Sequence, residues 1–305
     1  MRKIFAWILV LAMLLVFAGC DSGYSGGGSY SSGGSAAPSV QRSAEHTFAV
    51  YGDGYQLVSC GTNYKSDDTI LIPEQYQDMP VVAIGNSAFN GFTKLQTIQI
   101  PDTVTEIDKR AFEGCTSLNH VTIPDSVTVI RGAAFQNCTA LTDISFGSGI
   151  REIEGECFKG CTALRQFCFP TTVTEVRGNC FENCTALETV ELHDGIIEIH
   201  AYAFKDCKAL QTITLPQGIT EIKGNTFENC FALRRISIPE GVTRIGGHAF
   251  RCCTSLSQVE IPDSLREIGS SAFRECNSLS QIQIPSGASV DERAFKDSPT
   301  KITYK

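Results

Sequence analysis

Hydrophobic positions recur along most of the chain with a period of 23 residues. Each period contains a phenylalanine preceded by a small residue, a leucine six residues later, and apolar residues nine and eleven residues later. A fixed period of this length is typical of a solenoid, in which each repeat forms one coil and buries its apolar side chains against neighbouring coils. The marker phenylalanines are Phe89, Phe112, Phe135, Phe158, Phe181, Phe204, Phe227, Phe250 and Phe273, with Phe295 one residue early.

Within each repeat, polar and apolar residues alternate shortly after the leucine that follows the marker phenylalanine by six residues, as in the segment 212–215 (TITL). Alternation with period two indicates a β-strand with one buried face. Proline follows in seven of nine repeats and, having no N–H, ends the strand. A turn and a shorter second strand come next, and the segment Ala-Phe-x-x-Cys is expected to form one helical or 3₁₀ turn. The predicted fold is therefore a repeat solenoid of short parallel β-strands stacked in ladders.

The complete pattern of one repeat, LxxIxIPxxVxxIxxxAFxxC, is found for example in Leu233–Cys253. This pattern resembles that of the BspA-like bacterial leucine-rich repeat family, over residues 70–305. The resemblance implies a leucine-rich repeat fold and a family of largely surface or secreted proteins, some implicated in adhesion to host proteins or other bacteria. It implies no shared catalytic motif and no common ligand.

The amino terminus has the composition of a secretory signal. Two basic residues precede an apolar run, Ile4–Gly19, which is short for a membrane-spanning helix. The end of this run together with the next residue, Phe17–Cys20, resembles a bacterial lipobox. The resemblance implies lipidation of Cys20, although that motif prefers Leu at the position of Phe17. An ordinary signal peptide or an uncleaved anchor are the alternatives. We expect residues 1–19 to be a signal peptide and the protein to be an exported, membrane-anchored lipoprotein at the cell surface.

The remaining chain divides by composition and period. Residues 20–45 are rich in Gly and Ser and bury too little apolar surface to fold, so they are expected to form a disordered tether after the lipidated cysteine. Residues 46–87 depart from the period, and strand-like segments around Gly-Asp-Gly predict a β-hairpin that caps the solenoid. Residues 88–294 are assigned to the leucine-rich repeat solenoid and residues 295–305 to a C-terminal cap.

The charge distribution limits the possible partners. The 305-residue chain has a formal net charge of -8 and no basic stripe that could neutralise phosphates. Nucleic acid is therefore not predicted as a partner. Contact with a membrane is expected only through the lipid anchor, because anionic lipid headgroups repel an acidic body.

Fourteen cysteines are unusual for a chain of this length, and eight of them occupy one position of the repeat. Exported proteins often use cysteines for disulfides. Equivalent residues of stacked coils, however, place Cβ atoms ~5 Å apart, beyond the ~3.5–4.5 Å of a disulfide. Buried thiols are therefore predicted at Cys115, Cys138, Cys161, Cys184, Cys207, Cys230, Cys253 and Cys276.

Four cysteines raise the possibility of zinc, since Cys157 and Cys180 replace the alanine of their repeats and accompany Cys161 and Cys184. These are core positions of the repeat, so packing is preferred to a metal site. Cys168 is expected on the outward side of its strand, as an exposed and reactive thiol. Of the adjacent pair at 252–253, one thiol is expected at the surface and one in the core.

The outward positions of the first strands form the predicted binding surface, which we call the strand face. Its residues are short, polar and mostly neutral, and no outward position holds an aromatic residue. A face that is merely solvated is the alternative. The strand face comprises Thr97, Gln99, His120, Thr122, Asp143, Ser145, Gln166, Cys168, Thr189, Glu191, Thr212, Thr214, Arg235, Ser237, Gln258 and Glu260, continued by Gln281 and Gln283.

A second polar stripe follows the strand face in each repeat. Arg131, Arg177, His200 and Lys223 lie two residues beyond its glutamate positions. Stacked carboxylates could bind Ca²⁺ or a cationic partner, but the interleaved opposite charges favour ion pairs between coils on a solvated surface. The glutamates are Glu106, Glu152, Glu175, Glu198, Glu221 and Glu267.

The sequence predicts no enzyme and no cofactor. Motifs of hydrolases, metalloproteases and nucleotide-binding loops are absent from the sequence, and the period from Phe89 to Phe273 leaves no inserted loop on which chemistry could be carried. The predicted function is that of a surface-anchored protein-interaction or adhesion module whose partners are host or bacterial surface proteins. The alternative is an envelope protein that captures glycans or peptides.

Overall fold

Two sets of parallel β-strands follow one another along the repeat region, one from the first strand of each coil and one from the second. The computed structural model describes residues 46–61, 65 and 67–305, and nearly every coil in it contributes a strand to each set. The predicted solenoid of short, stacked parallel strands is therefore confirmed. The predicted signal peptide (1–19), the lipidated Cys20 and the tether (20–45) lie outside the described residues.

The strands are short because each coil turns after two to four paired residues. The first strands are β3 (Thr69–Leu71), β6 (Thr97–Gln99), β8 (His120–Ile123), β10 (Asp143–Phe146), β12 (Gln166–Cys168), β14 (Thr189–Glu191), β17 (Arg235–Ser237), β19 (Gln258–Glu260), β21 (Gln281–Ile284) and β23 (Lys301–Tyr304). The second strands are β5 (Met79–Ile84), β7 (Glu106–Ile107), β9 (Val129–Ile130), β11 (Glu152–Ile153), β13 (Glu175–Val176), β15 (Glu198–Ile199), β16 (Glu221–Ile222), β18 (Arg244–Ile245), β20 (Glu267–Ile268) and β22 (Ser289–Val290). The others are β1 (Thr47–Tyr51), β2 (Gly54–Ser59) and β4 (Gln75–Tyr76).

The two sets of strands are paired differently. Most second strands lie in two long sheets, in the order β1-β2-β5-β7-β9-β11 (which begins with the hairpin strands β1 and β2) and β16-β18-β20-β22, while β13 and β15 pair only with each other. First strands pair in twos, as β3-β6, β8-β10, β12-β14, β17-β19 and β21-β23. Where Gly147 replaces the usual proline, its N–H donates to the Ile123 carbonyl at 2.8 Å and extends the ladder. Proline at this position in other coils offers no such donor.

Glycine at position 147 is required by the close approach of two turns. A Cβ atom there would lie 2.4 Å from the backbone nitrogen of Asp125. Real Cβ atoms do not approach other atoms so closely, so a larger residue would force the two coils apart. The pairing of β8 with β10 over four residues thus depends on this glycine.

One predicted strand is missing from the ladder. The segment 212–215 lies in no strand, although Ile213 and Leu215 are buried and Thr212 and Thr214 are exposed as the alternation predicts. Alternate side chains of the segment therefore point into the core and to the solvent, but its backbone does not pair with a neighbouring first strand. The prediction of a strand was wrong here because alternation reports which side chains are buried and not which backbone groups pair.

The marker phenylalanines form one continuous stack in the core. All nine from Phe89 to Phe273 have no exposed surface. Adjacent rings lie nearly parallel, with centroids 5.1 Å apart for Phe89 and Phe112 and 5.8 Å apart for Phe135 and Phe158. The stack continues to Phe295, 5.2 Å from Phe273, so the coil that is one residue short keeps the register of the core.

The corner containing each marker phenylalanine is a chain of turns, which corrects the predicted helical or 3₁₀ turn. The N–H of Glu113 closes a turn onto the Arg110 carbonyl, but the N–H of Phe112 donates to the Ala134 carbonyl of the next coil, at 2.8 Å. Arg110 and Gly114 have positive φ angles of 56° and 71°. A helix cannot continue through left-handed residues. At this corner every second backbone N–H donates to a carbonyl of the next coil and so joins the two coils.

The eight ladder cysteines are buried and free, as predicted. Each thiol is placed to donate a hydrogen bond to the carbonyl of the marker phenylalanine 26 residues earlier, as Cys115 Sγ does to Phe89 O at 3.1 Å. Burial raises the pKa of Cys115 to about 12. These thiols therefore remain protonated and act as small apolar core residues with one polar bond each.

The predicted N-terminal hairpin is present. β1 and β2 pair antiparallel and β2 then pairs parallel with β5, so the hairpin extends the sheet of second strands. Leu57 of β2 is fully buried, and the ring of Phe48 stacks on that of Tyr76 with centroids 4.3 Å apart.

Across the residues that the structure describes, no helix is long and apolar enough to span a bilayer.

Candidate functional site

The sixteen residues from Thr97 to Glu260 that define the predicted strand face are all exposed to solvent. Fourteen of them lie in first strands, and Thr212 and Thr214 lie in the unpaired segment between β14 and β17. The alternation of the sequence places these side chains outward because their neighbours are buried in the core. The structure therefore brings the predicted residues onto one surface, interrupted where the first strands do not pair.

Four side chains of the strand face form a hydrogen-bonded group across β8 and β10. His120 Nδ1 lies 3.0 Å from Asp143 Oδ2, and its Nε2 lies 3.1 Å from Thr122 Oγ1. The hydroxyl of Ser145 donates to Thr122 Oγ1 at 3.3 Å. Because these side chains are held by one another, this part of the strand face is pre-organised for recognition.

A groove of about 590 Å³ crosses three coils next to this group, and we call it the N-terminal groove. It lies over the interval between β6 and β8, two first strands that do not pair with each other. Its floor includes the half-exposed side chains of Ile100 and Phe146. The residues that line it are Thr97, Ile98, Gln99, Ile100, Asp102, His120, Thr122, Ile123, Pro124, Asp125, Ser145, Phe146 and Gly147.

Sequence reasoning missed the apolar floor of this groove. Ile100 and Phe146 occupy an inward position of the repeat, so the pattern predicts burial and an aromatic-free surface. The structure leaves the Phe146 ring half-exposed beside the strand face. The one available signal was the glycine that follows Phe146 where most repeats have proline.

Two carboxylates, Asp102 and Asp125, lie at the turn end of the N-terminal groove, and both are exposed. Asp125 Oδ1 accepts hydrogen bonds from the backbone N–H and the hydroxyl of Ser148, at 2.6 and 3.1 Å. These bonds lower the pKa of Asp125 and keep it ionised. The groove therefore combines an apolar floor with a negatively charged end.

A second groove, the C-terminal groove, has a volume of about 520 Å³ and a more polar character. It lies beside the unpaired segment 212–215, and a cation, Arg235, and an anion, Glu260, both line it. The apolar residues Leu215 and Ile236 that line it are buried, each with an exposed fraction of 3%. It is thus close in size to the N-terminal groove but differs from it in chemistry.

The second polar stripe is a ladder of ion pairs between coils, which was the favoured interpretation. Arg131 Nε lies 2.7 Å from Glu106 Oε1, and its Nη1 lies 3.0 Å from Glu154 Oε1. Arg177 bridges Glu152 and Glu175 in the same way, at 3.2 and 2.8 Å. Each cation therefore separates carboxylates that would otherwise repel one another.

Three residues of this stripe have the composition of a cation site. Glu175, Glu198 and His200 place ligand atoms within 4.8 Å of one another. Arg177 Nη1 already lies 2.8 Å from Glu175 Oε2, and the Lys223 ammonium pairs with Glu198. Because two protein cations neutralise these carboxylates, the arrangement is that of an ion-pair network rather than of a metal centre.

A third charged ladder, immediately after each marker phenylalanine, escaped the sequence analysis. Lys159 Nζ lies 2.8 Å from Glu182 Oε2 in the next coil. Glu228, only 7% exposed at its side chain, pairs with both Lys205 and Arg251, at 3.3 and 3.2 Å. The alternation of Lys, Glu, Lys, Glu and Arg at one repeat position, 23 residues apart, was the signal that could have revealed it.

Cys168 and the adjacent pair at 252–253 lie where the sequence predicts, but the structure does not support a reactive thiol. Cys168 is exposed, and of the adjacent pair Cys252 is partly exposed and Cys253 buried. Partial burial and the neighbouring Glu191 carboxylate raise the pKa of Cys168. A raised pKa lowers the thiolate fraction, so this thiol is less nucleophilic than an ordinary surface cysteine. Cys157, Cys161, Cys180 and Cys184, for which packing was preferred to a zinc site, are all buried.

Comparisons with known proteins agree with this geometry. The family model described as BspA type leucine rich repeat region matches residues 69–188 and 174–301, in six copies. A leucine rich cell surface protein from Faecalibacterium prausnitzii has a similar crystal structure, with a TM-score of 0.55, 28% sequence identity and coverage of 86% of each chain. The leucine rich repeat protein of T. pallidum is 27% identical, with a TM-score of 0.52, over 69% of this chain and 87% of that chain. Among curated proteins, no sequence matches this chain.

Proposed function

Because the chain belongs to the BspA-type leucine-rich repeat family, we propose that it is a surface-anchored lipoprotein whose solenoid acts as a protein-interaction and adhesion module. Leucine-rich repeat solenoids present an extended repeated surface, which suits them to binding other proteins. Nothing in the arrangement of the described side chains suggests a catalytic group. The partners proposed are surface proteins of a host or of other bacteria.

The strand face carries this proposal. Its exposed polar side chains lie on a rigid core of stacked phenylalanines, so they can meet a partner with little loss of conformational freedom. Their identity varies from coil to coil while the core positions do not, as Gln166, Glu191 and Arg235 illustrate. A surface that varies on a constant scaffold is the arrangement expected for recognition.

Surface location is supported by the amino-terminal sequence and by one relative. The similar protein from Faecalibacterium prausnitzii is described as a cell surface protein. Export of this chain would depend on the signal peptide (1–19), and anchoring on lipidation of Cys20. Several acyl chains on one cysteine hold a protein to a bilayer far longer than a single chain does.

Binding is tested by capture of surface proteins on the purified chain, followed by affinity measurement for each captured protein. Charge reversal on the strand face, by Glu191→Lys and Arg235→Glu, is expected to reduce binding at least tenfold. Lys94→Glu, which changes an exposed residue outside the strand face, serves as the matched control. Equal affinities for all variants would contradict a role of the strand face.

Anchoring is tested by growing cells that express the chain with a radioactive or clickable fatty acid. The wild-type chain is expected to incorporate label and to fractionate with membranes. Cys20→Ser is expected to abolish labelling and release the protein. Labelling that persists in Cys20→Ser would show that the lipid is attached elsewhere, and unlabelled wild-type protein would remove the lipoprotein from the proposal.

A further inference from the structure

The N-terminal groove differs in its floor from the rest of the strand face. The eleventh residue after the marker phenylalanine is buried in six of the nine coils from Phe89 to Phe273, whereas Ile100, Phe146 and Leu192 are half-exposed. Two of these three half-exposed side chains line this groove. Apolar surface at the bottom of a groove gains free energy when it is covered.

The charge of the groove is as distinctive as its floor. Asp102 and Asp125 are exposed, and neither is part of an ion pair among the residues described by the structure. No Lys or Arg is found among the residues that line the groove. In the second polar stripe, by contrast, the stacked carboxylates are paired with cations, as Glu106 is with Arg131. The two unpaired carboxylates therefore give this groove a negative end that a cationic group would complement.

The groove also lies at an interruption of the sheet. β6 pairs with β3 and β8 pairs with β10, so β6 and β8 face each other as unpaired edges. The backbone groups of these two edges face the neighbouring coil, since the N–H of Asn119 still donates to the Gln96 carbonyl at 3.2 Å. Polar contacts to an extended polypeptide therefore come from side chains such as Gln99 and Thr122, which line the groove.

We propose that the N-terminal groove binds an extended segment of a partner protein in which an apolar side chain is followed by Lys or Arg. The apolar side chain covers Ile100 and Phe146, and the cation lies beside Asp102 and Asp125. This inference rests on the proposed function and names the chemistry that one part of the strand face recognises. The net charge of -8 favours a basic partner over a second copy of the chain at this site.

The C-terminal groove provides an internal comparison. Arg235 and Glu260 line it with opposite charges, and its apolar lining residues Leu215 and Ile236 are buried. It therefore offers neither an apolar floor nor a net negative charge to the same peptide. The same solenoid thus carries one groove with the features for an apolar and basic segment and one groove without them.

The test uses fluorescence anisotropy of the full chain, in detergent, with three short fluorescein-labelled peptides of equal length. The first, the Ile–Lys peptide, contains Ile and Lys residues separated by Ser. The second has Glu in place of every Lys. The third, the Ser–Lys peptide, has Ser in place of every Ile. Binding of the first peptide alone, weakening as salt is raised, is the expected result. Equal binding of the second or the third peptide would overturn the inference, as would failure of the first to bind.

The double variant Asp102→Asn and Asp125→Asn is expected to weaken binding of the first peptide roughly three- to tenfold and to reduce its salt dependence. Asp194→Asn removes an equally exposed carboxylate at the corresponding turn position of another coil and is the matched control. Thermal melting of both variants shows whether they fold, and asparagine at position 125 retains an Oδ1 that can accept the hydrogen bonds of Ser148. An equal loss of affinity in Asp194→Asn would attribute binding to overall charge and overturn the site.

A further variant, Ile100→Thr, tests the floor without changing charge. It is expected to weaken binding of the Ile–Lys peptide several-fold and to leave binding of the Ser–Lys peptide unchanged.

The outcomes also separate this inference from the proposed function. If the double variant Asp102→Asn and Asp125→Asn captures surface proteins with wild-type affinity, the proposed function stands and the role of the N-terminal groove is overturned. Peptide binding without capture of any surface protein would keep the site and overturn the adhesion role. Binding of a glycan array in place of the peptides would overturn both.

Discussion

Single residues of the repeat have separable roles in this protein. The marker phenylalanines and the ladder cysteines are buried by the stacking of equivalent positions, and the sequence predicts this because the same residue recurs every 23 positions. Residues with positive φ were not predicted. Most of them fall two residues before or two residues after the marker, as at Arg110 and Gly114. Only the Gly, Asn and Asp residues common at the later site hinted at this conformation.

Loss of one ring from the phenylalanine stack should be costly. Phe204 is fully buried and stacks between Phe181 and Phe227, with centroids 5.6 and 5.5 Å away. Phe204→Ala is expected to lower the free energy of unfolding by about 3–5 kcal/mol, because the coils cannot collapse to fill the cavity. Chemical denaturation measures this, with Phe204→Leu as a control of smaller loss. A decrease below 1 kcal/mol, about the size of a surface effect, would contradict the close packing of the stack.

Left-handed backbone at the corner can be tested at Asn183, which is exposed and has a φ of 63°. Asn183→Gly is expected to change stability by a few tenths of a kcal/mol, because glycine adopts this conformation without strain. Asn183→Val is expected to cost about 1–3 kcal/mol, because a β-branched side chain is strained there. Thermal unfolding of the two variants decides the matter, and equal stabilities would show that the corner is not left-handed.

Between coils, whole elements are held by three kinds of ladder: backbone pairs, stacked aromatic rings and alternating charges. The charge ladders respond to pH. A hydrogen bond from Lys223 lowers the pKa of Glu198 below its ordinary value of 4.5. Burial raises the pKa of Glu182, but hydrogen bonds from Lys159 and Asn179 outweigh it, so this pKa is also lowered.

Acid should therefore weaken the stacking of coils. A carboxyl group whose pKa is lower in the folded state binds fewer protons there than in the unfolded chain, so stability rises with pH in that range. The contribution of Glu198 is fully present above pH 4.5 and is lost as pH falls through its lower folded-state pKa. Melting temperature measured between neutral pH and pH 3 is expected to fall mainly below about pH 4.5.

The variant Glu198→Gln is the control for this pH dependence. It is expected to be slightly less stable than wild type at neutral pH and to lose less stability in acid, since one titrating carboxyl group is gone. Each exposed pair contributes about 0–1 kcal/mol, so the difference is small but has a definite sign. A steeper loss in Glu198→Gln than in wild type would contradict the direction of the pKa shift.

As a whole molecule, the described chain is a row of nearly equivalent coils whose contacts run between neighbours. Stability in such proteins is approximately a sum of repeat and interface contributions. Removal of one complete period should therefore be tolerated, whereas removal of part of a period should not.

Deletion of residues 181–203 removes one period and joins Cys180 to the next marker phenylalanine. The shortened chain is expected to remain folded, with a melting temperature only a few degrees lower. Circular dichroism and size-exclusion chromatography measure this. Deletion of residues 181–192 is the control, because it breaks the register and should unfold or aggregate the neighbouring coils. Equal behaviour of the two deletions would contradict a nearest-neighbour solenoid.

The sequence by itself determined the solenoid, the identity of its core and the direction in which each strand side chain points. These follow from the period, because every coil repeats one choice between burial and exposure. Only the tertiary structure decided how the coils approach one another: first strands that pair in twos, corners of left-handed turns, and a groove that leaves Ile100 and Phe146 half-exposed. Those features depend on small differences in spacing between coils, such as those permitted by Gly147, which a repeated pattern averages out.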